Sequence, residues 1–303
     1  MSLWTPDKSY NAEPCKVLLK RGEFVDSARD DRSVPYKIYY PVDHGSDKIP
    51  VILWSHGFGG NRDGASFISR FLAGQGYVIV HITHIGTDSS LWEGKKGHPW
   101  DILKEVKISR ETTLNRMYDA PFVLDELESW SAENPDIGQY MDMSNIGMSG
   151  HSFGAMTTQV MAGMKFPNMG KELISLREER ISSGILYSPV PIDHLSDASP
   201  EELYGSIDIP LFHMTGSEDY SPIEGYDYKH RLIIKEHAGN PEQYLQVLDG
   251  GDHMVYNGTR GKLANNPKRE EHEKLILEGV FAFWQAYLKG DDNAKKWLKT
   301  QYG

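Results

Sequence analysis

A lone cysteine, Cys15, is the only thiol in 303 residues. No internal disulfide can form, and a metal site built on several thiolates is excluded. Cys15 itself reads as a small apolar filler near the N-terminus. Long apolar runs are missing as well, none approaching the ~18 residues of a membrane span. Positive charge is in deficit, with 32 Lys and Arg against 43 Asp and Glu and a net charge of −11. That deficit argues against a nucleic-acid partner held through its phosphates and disfavours docking on an anionic membrane surface. Linker-like stretches, internal repeats and low-complexity segments are also lacking. The expectation is one domain over 1–303, with an N-terminal arm at about 1–15 and a cap insertion at about 165–182. The opening MSLWTPDKSYNAEP is no signal peptide, and the compartment stays open between cytoplasmic and exported.

What is present is apolar residue in alternating blocks. Strand-like runs at Val17–Leu19, Tyr36–Val42, Val51–Trp54, Val78–Ile82, Asn145–Ser149, Gly184–Tyr187, Pro210–Met214 and Tyr244–Leu248 are separated mostly by helix-like stretches. Helices are expected around Phe67–Leu72, from about Ser109 to Trp130, over Phe153–Met164 and over about 267–289. Residues 84–107 read as irregular, and the default for 165–182 is a short solvated helix. Several strand runs are continuously apolar, as expected for strands covered on both faces. Alternating strands and helices imply an α/β fold with a mainly parallel sheet, and ligands then sit beyond the carboxyl ends of the strands.

Four strand ends carry chemistry. After Val51–Trp54 comes SHGFGG, whose glycines let backbone N–H groups face a ligand; the amides of Phe58 and Phe153 are the expected oxyanion donors. His56 reads as a brace for that loop. After Asn145–Ser149 comes GHSFG, in which Gly150-x-Ser152-x-Gly154 fits a nucleophile elbow at a strand-to-helix turn. Such a turn directs His151 away from the nucleophile, so it is not assigned as the base. After Pro210–Met214 comes TGSEDYSP, where Asp219 is the candidate acid, with Glu218 and Asp193 as rivals. After Tyr244–Leu248 comes DGGDHMVYNG, where His253 is the candidate base. The order Ser152, Asp219, His253 is the α/β-hydrolase order.

Other features are weaker. His81, His84, Asp88 and His98 cluster in sequence but read as packing and loop residues rather than metal ligands. Trp92 and Trp100 read as walls of a substrate pocket or as loop anchors, and Arg116 and Asp119 as structural.

The segments LWSHGFGGNRDGASFISRFLAGQGYVIVHITHIGTDSS, IGMSGHSFGAMTTQ and YLQVLDGGDHMVYNG resemble bacterial serine esterases of the dienelactone-hydrolase-like group. They also resemble the more distant platelet-activating-factor acetylhydrolases. The resemblance runs from about Pro35 to Trp284. It implies an α/β-hydrolase fold and a metal-free serine mechanism without a cofactor. The implied substrates are small-molecule carboxylic esters, often with short acyl groups. True dienelactone hydrolases use a cysteine where this chain has Ser152. In the acetylhydrolases the acid follows the preceding strand, where this chain reads GILYSPVPIDH with no Asp before Asp193, so the acid stays open between Asp219 and Asp193. An amide or peptide hydrolase, or a non-catalytic binding protein on the same fold, are the rival functions.

Overall fold

The computed structural model describes residues 4–45, 47–258 and 266–303, so the first three residues of the expected N-terminal arm lie outside it. Among the described residues ten strands form: β1 Lys16–Asp26, β2 Arg32–Val42, β3 Ile49–Ser55, β4 Val78–Ile82, β5 Met141–His151, β6 Phe166–Pro167, β7 Leu173–Ile174, β8 Ile181–Tyr187, β9 Leu211–Glu218 and β10 Gln243–Asp252. Eight of them build one sheet in the order β1-β2-β4-β3-β5-β8-β9-β10. β1 and β2 run antiparallel, as do β2 and β4; every later pairing is parallel.

β3 shows why the sheet lies inside. All seven of its residues are buried, and its two-residue period sends them to opposite faces. Val51 and Leu53 join Met117, Leu124 and Met148 in one core. Ile52 and Trp54 join Leu72, Val280 and Trp284 in the other. The first core is closed by helix Arg110–Glu133, which Ser109 caps by accepting from the Thr112 N–H. The second is closed by helix Arg269–Leu288, which starts two residues after Pro267 instead of on it. Among the described residues, no helix is long and apolar enough to cross a membrane.

Three segments differ from the sequence expectation. Residues 165–182 are no helix: β6 and β7 form a hairpin there, followed by the start of β8. Its turn is closed by the Asn168 Oδ1, which accepts from the Gly170 N–H at 2.8 Å and the Glu172 N–H at 3.0 Å, an Asx-type turn that outcompetes helix. The stretch 84–107 contains helix Pro99–Glu105, started by a His98 side-chain cap and a proline in its first turn. The chain also ends in a further helix, Asp292–Tyr302, capped by Asp291.

Candidate active site

β5 lies next to β3, near the middle of the sheet, and delivers Ser152 at its carboxyl end. Ser152 stands at the N-cap of helix Phe153–Met161 with φ 54° and ψ −118°. A non-glycine residue rarely adopts that backbone, and such strain concentrates at functional turns. Close approach on both sides dictates the flanking glycines. A Cβ on Gly154 would sit 1.9 Å from the Ser55 carbonyl oxygen, and one on Gly150 would sit 2.3 Å from the Gly154 backbone. The Ser152 N–H donates to the Tyr187 carbonyl at 2.8 Å, which fixes the turn to β8.

The loop after β3 faces this turn. Among the described residues, neither the Phe58 nor the Phe153 N–H donates to a protein acceptor. Their side chains meet edge-on, 6.2 Å between ring centroids. The loop is pinned by the Gly59 N–H on the Thr87 carbonyl at 2.9 Å and by the Trp92 indole N–H on the Gly59 carbonyl at 2.7 Å. Trp92 is thus a loop anchor and lies outside the cavity lining, whereas Trp100 lines the cavity. His56 braces the loop: its Nδ1 bonds the Gly57 carbonyl at 2.7 Å and its Nε2 accepts from the His84 N–H at 2.9 Å.

Beneath the loop runs a buried polar chain. Asp119 holds Arg32, Arg29 and the His84 Nδ1, the last at 2.9 Å. The His84 Nε2 meets the Ser55 Oγ at 2.9 Å, and Ser55 in turn accepts from the Arg116 Nη2 at 2.9 Å. Arg116 also donates to the His56 carbonyl, the Thr87 hydroxyl and the Thr157 hydroxyl. Burial drives the His84 pKa down to about 4, so the ring is neutral, with its proton toward Asp119. His81 is separately engaged, its Nε2 2.7 Å from the Ser69 Oγ. His98 and Asp88 are occupied as helix caps, so the four residues do not converge.

Asp219 and His253 come together from β9 and β10. The His253 Nδ1 lies 2.7 Å from the Asp219 Oδ1. The Asp219 Oδ2 accepts from the Thr215 hydroxyl at 2.8 Å. Arg231, which no sequence motif announced, is buried beside them and donates to the Asp219 Oδ1 at 2.9 Å and to the Pro189 carbonyl at 2.8 Å. Burial alone would raise the Asp219 pKa. The His253 hydrogen bond and the charges of His253 and Arg231 outweigh it and hold the carboxyl well below the usual range. Asp193 instead sits 3.2 Å from the His230 Nε2, and Glu218 is exposed.

The His253 Nε2 is buried and makes no hydrogen bond among the described residues, to Ser152 or to any other group. A buried imidazole nitrogen without a partner calls for an explanation, and a proton-accepting role is one. Such contacts often tighten only when substrate is bound. Ser152 lines a cavity of about 330 Å³ together with Phe58, Trp100, Phe153, Met156 and Phe166. Phe166 comes from the 165–182 hairpin. Met169 of the same hairpin is exposed and does not line the cavity.

The model of the family described as platelet-activating factor acetylhydrolase, isoform II, matches residues 1–94. A platelet-activating factor acetylhydrolase from Cavia porcellus is 22% identical over 339 aligned positions, covering 100% of this chain and 72% of that protein. A cold-adapted esterase from an Arctic intertidal metagenomic library, solved with bound PEG, superposes with a TM-score of 0.56 at 15% identity. That match covers 92% of this chain and 99% of the esterase. The chain therefore has the α/β-hydrolase fold and is similar to platelet-activating factor acetylhydrolases.

Proposed function

We propose that the chain is a serine carboxylic ester hydrolase that turns over small to medium, short-acyl esters through an acyl-enzyme. The similar proteins named above are an acetylhydrolase and an esterase, and the reaction class is carried over from them. The observation that carries the assignment of residues is the buried Asp219–His253 pair, its Nε2 without a partner among the described residues, together with an elbow serine on the cavity wall.

In this reading the His253 Nε2 takes the Ser152 proton as Oγ attacks the ester carbonyl. Asp219 holds the Nδ1–H and stabilises the imidazolium without taking its proton. The Phe58 and Phe153 amides receive the developing oxyanion, each worth about 3–4 kcal/mol in comparable sites. The alcohol leaves with the proton from His253, and water repeats the sequence on the acyl-enzyme. The acyl group or the alcohol rests among Phe153, Met156 and Phe166. The cavity lies near the small end of ligand sites, which supports small substrates.

The test is stoichiometric labelling by a fluorophosphonate, lost in Ser152→Ala. p-Nitrophenyl esters of increasing chain length, run beside an anilide series, then read the substrate class. Faster hydrolysis of long-chain esters, or preference for the anilides, overturns the substrate assignment. Undiminished labelling of Ser152→Ala overturns the nucleophile.

A further inference from the structure

The geometry points to His151 as a positioning residue that ties the base's loop to the nucleophile's turn. The inference rests on the serine-hydrolase reading above. The His151 ring is buried at the end of β5, one peptide bond from Ser152. Its Nε2 lies 2.6 Å from the main-chain carbonyl oxygen of His253, a partner 102 positions away. Its Nδ1 lies 3.3 Å from the Asn257 side-chain amide, further along the same loop. A carbonyl only accepts and an amide nitrogen only donates, so these partners fix one neutral tautomer: Nε2–H toward His253, Nδ1 accepting from Asn257. Burial holds the His151 pKa down to about 3, which removes it as a rival proton acceptor.

The loop needs such a tie. β10 carries a register irregularity between Leu248 and Asp252, so His253 follows a bulge instead of a regular ladder. After the bulge Asp252 pairs once more with Glu218, and the backbone around His253 then makes local turns such as the Val255 N–H on the Asp252 carbonyl at 3.2 Å until the Asn257 carbonyl accepts from the Ala65 N–H at 3.3 Å. The Asp219 carboxylate fixes the imidazole, but a side chain can swing about its own bonds. The His151 bond fixes the backbone from which that side chain swings. Asp219 sets the ring's tautomer, and His151 sets how far the ring stands from the hydroxyl.

The test compares His151→Gln, whose amide reaches the carbonyl, with His151→Asn, which is too short. His151→Phe, which keeps a ring but no donor, stands in if the Asn variant unfolds. A misplaced base slows attack without weakening substrate binding. In His151→Asn, kcat on a short p-nitrophenyl ester and the fluorophosphonate inactivation rate should fall together by roughly 10–100-fold, with KM within about twofold. His151→Gln should recover most of both. Two outcomes overturn the inference: kcat in the Asn variant within about twofold of wild type, or a Gln variant as impaired as the Asn variant. If wild-type Ser152 takes no label at all, the hydrolase reading has failed, and that result is read before any variant.

Discussion

Replacing Asp119 by Asn tests whether the buried polar chain holds the loop after β3. Asp119 is fully buried and accepts from the Arg32 Nε at 2.7 Å, the Arg32 Nη2 at 2.8 Å, the Arg29 Nη1 at 3.0 Å and the His84 Nδ1 at 2.9 Å. Asn keeps the shape but loses the charge and turns an N–H₂ toward donors. Removing one partner of a buried pair costs about 3–5 kcal/mol, a large part of a total near 5–15 kcal/mol. With 303 residues and an unfolding entropy of about 2.1 cal/mol/K per residue, Tm should fall by roughly 5–8 °C. Burial pushes the Asp119 carboxyl up, but the Arg32 and His84 bonds pull it down further, so its pKa is lowered on folding. A lowered folded pKa stabilises above the unfolded value of ~3.9 and is lost as pH falls through the folded one. The gap between wild type and variant, read by urea unfolding monitored by circular dichroism, should therefore narrow from about pH 7 to about pH 3. A neutral-pH difference under about 1 kcal/mol, or a gap that does not narrow on acidification, refutes the reasoning.

Two further predictions follow from the site. Asp219→Asn should lower kcat by about 10⁴-fold, as loss of the carboxylate does in related triads, while Asp193→Asn, whose carboxylate faces His230, should stay within roughly twofold; steady-state ester hydrolysis separates them. Gly154→Ala places a methyl 1.9 Å from the Ser55 carbonyl and should destabilise by the upper end of ~1–3 kcal/mol, with labelling of Ser152 reduced; a thermal melt and a labelling assay check both.

The site was legible where its chemistry is local in sequence. Gly150, Ser152 and Gly154 announce a turn because no larger side chain fits between strand and helix. Asp219 and His253 were readable because each follows a strand run in a glycine-containing turn, and they meet in the fold. Arg231 and Arg116 were not readable in these roles. Arg116 holds a carbonyl 60 positions away, Arg231 one 42 positions away, and nothing in their neighbouring residues encodes those partners. The hairpin at 165–182 was missed because Asn168 closes its turn through its own side chain. The helix at Pro99 carried a visible signal, a proline in the first turn, beneath a loop-like composition.

Within the sheet, β10 touches only β9, so the imidazole is supplied from the rim while the hydroxyl sits on an inner strand. Under the proposed assignment, the chain up to β8 supplies the elbow serine, while the proton acceptor and the carboxylate both come from the final third. Under that assignment, fraying of the rim removes the base from the site without breaking into the inner strands.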